Sequence, residues 1–97
     1  MKIRDLRAGI DGVTVEGWVV SVGEKKLVET RYGPAYVASA ILEDETGRIV
    51  LNLWRRQIDL VRPGCLVRIE NGFVRSYKGR LELNVGKRGR IVVLSKV

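Results

Sequence analysis

The chain of 97 residues is read as one domain, 1–97, long enough for a modest core of its own. Its 18 lysines and arginines against 11 acids give a net charge of +7, which points to a polyanionic partner, either nucleic acid or an anionic membrane surface. A single cysteine, Cys65, and no histidine exclude an internal disulfide, Cys- or His-based metal sites and imidazole catalysis, so neither metal nor cofactor is expected. No apolar run reaches the length of a membrane span and no signal peptide is visible, so the chain reads as soluble and cytoplasmic, with no membrane partner.

In chain order, Met1 to Gly12 is a mixed, charged segment in which Ile3, Leu6 and Ile10 are candidate anchors. Val13 to Val22 follows as the first strand: Val13, Val15, Gly17 and Val19 share one face, and Thr14, Glu16, Trp18 and Val20 the other. Gly23 to Ala35 is polar and reads as a long hairpin connection with ragged strand ends, containing Tyr32-Gly33-Pro34. Tyr36 to Glu43 is the second strand, with Val37 and Ile41 expected on its buried side. Asp44-Glu45-Thr46-Gly47 has the chemistry of a tight turn, and Arg48 to Trp54 is the third strand, with Ile49, Leu51 and Leu53 inward.

Arg55 to Val61 is expected to form a short helix that turns Ile58, Leu60 and Val61 inward, ended by Pro63-Gly64. The fourth strand, Leu66 to Tyr77, changes phase partway: Val67 and Ile69 fit a buried face, and beyond Asn71-Gly72 the inward residue is Val74. A bulge there explains the shift, because one extra residue reverses the face. Phe73, Arg75 and Tyr77 then point outward. Tyr77-Lys78-Gly79 turns the chain into the fifth strand, with Leu81, Leu83 and Val85 inside and Arg80, Glu82 and Asn84 outside. A basic bend, Gly86 to Arg90, and a closing stretch, Ile91 to Leu94, complete the chain. The expected class is all-β, a five-stranded Greek-key barrel of the OB-fold type with a short helix between strands 3 and 4. Such barrels bind oligonucleotides or oligosaccharides on a sheet face and its flanking loops.

The six aromatics sharpen this reading. Trp18, Trp54, Phe73 and Tyr77 lie opposite the aliphatic face, Tyr36 is out of phase with Val37 and Ile41, and Tyr32 sits in the hairpin connection. Burial alone does not sort side chains this way, because large aromatics normally dominate a core. Unpaired bases offer flat π-faces worth roughly 1–3 kcal/mol each when stacked on such rings. Arg55, Arg56, Arg75, Lys78 and Arg80 are placed to neutralise phosphates, with Lys87, Arg88 and Arg90 the weakest candidates. The candidate nucleic-acid site is therefore Trp18, Tyr36, Trp54, Arg55, Phe73, Arg75, Tyr77, Lys78 and Arg80, with no catalytic residue. Asp44 and Glu45 could pair for acid–base chemistry, but a turn uses such residues to bond its own backbone.

The run Asp44-Glu-Thr-Gly-Arg-Ile-Val-Leu-Asn-Leu-Trp54, with Ile69-Glu-Asn-Gly-Phe73 and Tyr77-Lys-Gly79, resembles the simple single-OB-fold single-stranded DNA-binding proteins of archaea. These are similar in turn to the DNA-binding domains of replication protein A and to the human single-OB-fold sensor proteins. The resemblance covers about Leu6 to Ile91 and implies that Trp54, Phe73 and Tyr77 stack on successive bases. Trp18 departs from the family, where that position is often polar or basic, and would add a platform. Family members commonly carry a glycine-rich or acidic tail that recruits other proteins, whereas this chain ends at Val97.

The resemblance implies a non-catalytic, nucleoid-associated protein that binds single-stranded DNA with little sequence preference and protects it in replication, recombination and repair. It is expected to be monomeric in isolation, with replication or repair proteins as further partners. Two rival expectations stand beside it. Val13 to Val19 also resembles the anticodon-binding OB domains of class II tRNA synthetases, which makes an RNA-binding module the first rival. A structural subunit that buries its aromatics against a protein is the second.

Overall fold

The computed structural model describes residues 1–96. Among the described residues seven strands, β1 (Asp11–Val22), β2 (Lys26–Thr30), β3 (Gly33–Asp44), β4 (Gly47–Trp54), β5 (Leu66–Tyr77), β6 (Arg80–Asn84) and β7 (Arg90–Ser95), accompany a 3-10 turn, Ile3–Asp5, and one short α-helix, α1 (Gln57–Leu60). β1 pairs with β3, β3 with β4, β4 in parallel with β6, β6 with β5, and β5 again with β1. These five strands are the five read from the sequence, their pairings close a ring, and α1 lies between the third and fourth of them. That is OB-fold topology.

The ring follows from strict alternation of small and branched aliphatics. Val13, Val15, Gly17 and Val19 of β1 are buried, while Thr14, Glu16, Trp18 and Val20 are exposed. Leu42, Leu51, Leu53, Ile69, Val74 and Leu83 complete a core that holds no aromatic ring. Gly17 is buried for a further reason. A Cβ there would stand 2.7 Å from the carbonyl oxygen of Glu43 and 3.0 Å from the Leu42 side chain, so β3 approaches β1 only over a glycine.

The turns are built as their residues dictate. Asp44 Oδ1 accepts from the Thr46 N–H (2.7 Å), the Thr46 hydroxyl (2.6 Å) and the Gly47 N–H (3.1 Å), and Oδ2 accepts from the Ile3 N–H (2.8 Å). Burial pushes the Asp44 carboxyl up, but these hydrogen bonds outweigh it and hold the group below the usual carboxylate range. The same bonds tether the N-terminal segment, so that Ile3 and Leu6 bury against the barrel as expected. At the other end, Lys78 (φ 50°) and Gly79 (φ 80°) form a two-residue turn between Tyr77 and Arg80 that matches the twist of β5 and β6. Asn71 (φ 55°) marks the bulge, and beyond it Gly72 and Val74 turn inward.

Four local expectations need correction. Lys26–Thr30 is a strand, not a ragged connection, and pairs residue for residue with β3. Arg90–Ser95 adds a seventh strand on β5. In β3 the inward residues are Ala38, Ala40 and Leu42, and Val37 and Ile41 lie half-buried on the outer wall. The register explains this: Ala38 and Ala40 face Leu53 and Leu51 of β4, so there the bulk sits on one strand and the partner is small, while Leu42 faces Ile49. In α1 Leu60 is 50% exposed, and Ile58 and the buried Val61 do the packing.

Candidate nucleic-acid interface

Strand register fixes what stands side by side on the outer wall. Across β3 and β4, Val37 pairs with Trp54, Ser39 with Asn52, Ile41 with Val50 and Glu43 with Arg48. The parallel pair sets Val50 beside Glu82, and across β6 and β5, Asn84 pairs with Phe73, Glu82 with Arg75 and Arg80 with Tyr77. Trp54 and Phe73 are half-buried and Tyr77 is exposed, so none is sealed in the core. These residues form one continuous four-strand wall with Trp54 and Phe73 toward one end and Tyr77 and Arg80 toward the other.

Between Trp54 and Phe73 runs a groove of about 480 Å³, lined also by Arg55, Gln57, Asn84 and Lys87. Gln57 braces its rim: its Oε1 accepts from the Trp54 N–H (2.9 Å) and its Nε2 donates to the Val85 carbonyl (3.0 Å). A second groove of about 420 Å³ adjoins Phe73 between Asp11-Gly12, Asn71-Gly72 and the basic Gly86 to Gly89 bend. Phe73 and Lys87 line both.

The floor between the aromatics is polar. Asn52 Nδ2 donates to Glu82 Oε1 (2.9 Å) and Asn84 Oδ1 (3.3 Å), the Ser39 hydroxyl donates to Asn52 Oδ1 (3.5 Å), and Arg80 Nε donates to Glu82 Oε2 (2.9 Å). Four rings carry a cation. The Arg75 guanidinium lies 4.7 Å from the Phe73 centroid and Lys25 Nζ 4.8 Å from that of Tyr36. Lys78 Nζ is 5.4 Å from Tyr77, and Lys87 Nζ 5.7 Å from Tyr32.

The wall thus brings together Trp54, Phe73, Arg75, Tyr77 and Arg80, with Lys78 in the adjoining turn. Tyr36 stands past its end, where its carbonyl accepts from the Arg55 N–H (2.9 Å). Both residues line a depression of about 330 Å³ with Lys25 and Arg56. Arg55 adopts a left-handed backbone (φ 54°) where β4 breaks into α1, and it borders both this depression and the Trp54–Phe73 groove. Trp18, 51% exposed, stands on the outer side of β1, in register with the wall residue Glu43 and with Leu66. Sequence reasoning did not single out Lys25, Asn52, Glu82 and Asn84. The outward parity of Asn52, Glu82 and Asn84 was the available signal, whereas Lys25 reaches its ring across the β2–β3 hairpin, where the sequence suggested only a connection.

Comparison with known proteins places this geometry in context. A family model described as "Single-stranded DNA binding protein Ssb-like, OB fold" matches residues 10–93. The single-stranded DNA binding protein Ssb of Saccharolobus solfataricus is 32% identical over 95 residues, covering 98% of this chain and 64% of that protein. Replication factor A of Methanothermobacter thermautotrophicus is 36% identical over 81 residues, covering 82% of this chain and 10% of its own length. The chain therefore spans less than two thirds of either relative. Among solved structures, the OB domain of a Thermoplasma acidophilum protein superposes with a TM-score of 0.85 at 30% identity, covering 100% of this chain and 88% of that one. With the family model spanning β1 to β7, the chain belongs to the Ssb-like family of OB-fold single-stranded DNA-binding proteins.

Proposed function

We propose that the protein binds single-stranded DNA by stacking bases on Trp54, Phe73 and Tyr77 while Arg55, Arg75, Lys78 and Arg80 meet the phosphates, with Tyr36 and Trp18 as outlying platforms. The observation that carries this reading is the outer wall itself: three aromatics excluded from a core without aromatic rings, joined by strand register and flanked by cations. The cations over the rings suit an exchange in which a base takes the ring face and the cation moves to a phosphate. Stacking does not read base edges, so most sequences should bind, and the role that follows is protection of single strands in replication and repair. The family relationship supports the same reading.

The binding is non-catalytic. Asp44, the better candidate of the acid pair, spends its oxygens on four hydrogen bonds within the turn and to Ile3, and Glu45 pairs with Lys2 at 2.5 Å. Titration of tryptophan fluorescence with an unstructured deoxyoligonucleotide at two salt concentrations tests the proposal. Quenching that saturates, and weakens with salt, is the expected result. An absence of binding, or binding restricted to a matched RNA, would overturn it.

A further inference from the structure

Glu82 is out of place on a surface meant for a polyanion. It lies on the wall between Val50 and Arg75, yet it is only 9% exposed, held from one side by Asn52 and from the other by Arg80. A carboxylate here disfavours a phosphate directly above it, which leaves the phosphates to Arg75 and Arg80 at its sides and the carboxylate itself open to a base. Each carboxylate oxygen accepts one hydrogen bond from the protein and keeps acceptor capacity to spare. Asn84, two residues further along β6, faces Phe73 in register, so a base stacked on Phe73 brings its edge over this strand.

On that basis we propose that Glu82 reads the edge of a stacked base, accepting a hydrogen bond from an exocyclic amino group, and so gives the protein a preference for cytosine over thymine at this subsite. Cytosine presents the N4 amino donor that a carboxylate accepts. Thymine presents the O4 acceptor in the same place, which faces the carboxylate with its lone pairs. The two pyrimidines are of similar size, so the edge is what distinguishes them. Asn52 and Arg80 fix the carboxylate before the base arrives, so little side-chain freedom is lost on binding.

The inference rests on the single-stranded DNA reading, and one experiment separates the two. Oligodeoxycytidylate and oligodeoxythymidylate of equal length are titrated at neutral pH and moderate salt against the wild type and Glu82→Gln. The wild type should favour the cytidylate by about three- to tenfold, the worth of one hydrogen bond. In Glu82→Gln the amide can donate to O4, so the preference should collapse or reverse, with thymidylate affinity unchanged or raised. Equal wild-type affinities would overturn the Glu82 proposal and leave DNA binding standing, and this comparison needs no variant. Affinities for both oligonucleotides that fall together in Glu82→Gln, at an unchanged ratio, would reduce Glu82 to a structural support for Asn52 and Arg80. Binding of neither oligonucleotide overturns both proposals.

Discussion

In the proposed interface Trp54 is the central residue. It ends β4, is half-buried beside Val37 of the neighbouring strand, and has its backbone N–H held by Gln57, which fixes where the indole is rooted. Trp54→Ala should lower affinity for an unstructured deoxyoligonucleotide by about ten- to a hundredfold, the range expected for one stacked base. Its far-ultraviolet circular dichroism should stay that of the wild type, because the core contains no aromatic ring. Trp18→Ala should cost less, since that ring stands on β1 beside Glu43, at the end of the wall away from the Trp54–Phe73 groove. Fluorescence anisotropy with a labelled strand ranks the two variants directly. The outward set of Trp54, Phe73 and Tyr77 was legible because strand parity, corrected by one bulge at Asn71-Gly72, is a local property of sequence. The cations above the rings were only partly so. Arg75 and Lys78 are near neighbours of Phe73 and Tyr77, but Lys87 reaches Tyr32 from 55 residues away, through the tertiary fold.

At the scale of elements, two contacts set how the barrel is assembled. Gly17→Ala should destabilise by about 1–3 kcal/mol, because the added methyl meets the Glu43 carbonyl of β3, which cannot move aside, as well as the buried Leu42 side chain. A thermal melt measures the loss. The acid limb of stability belongs to Asp44 and Glu70. Glu70 accepts from Arg90 (2.6 Å) on β7 and from Arg68 (2.7 Å), and these two bonds hold its carboxyl below the usual range; Asp44 is lowered by its turn. Both groups bind protons less readily folded than unfolded. Their contribution is therefore complete above the ordinary values of 3.8 and 4.5 and is lost as pH falls through the lower native values. Melting temperature should fall on acidification below about pH 4.5, and Asp44→Asn should flatten that slope while lowering stability at neutral pH. The sequence misread β3 because Val37 and Ile41 are larger than Ala38 and Ala40, and size suggested burial. The decision was made across the ladder, where Leu51 and Leu53 of β4 already fill the space.

For the whole molecule, the net charge of +7 predicts that log K falls linearly with log salt, by about 0.7 for each phosphate neutralised. Arg75→Ala should reduce that slope by about one contact and weaken all sequences alike, unlike Glu82→Gln. Isothermal titration over a salt series reads both effects. The barrel class was legible because five alternating segments and one breaker-bounded helix are local signals. Which strands become neighbours is not local, and the pairing of β4 with β6 joins residues some thirty positions apart. That pairing has a further consequence. Trp54 and Phe73 sit on strands that do not pair with each other; β6, threaded between them, makes a single surface of the two. A chain cut in the Tyr77 to Arg80 turn would keep every aromatic residue yet present no joined landing site until its C-terminal piece docked. Mixing the two fragments should restore oligonucleotide capture and cooperative melting together.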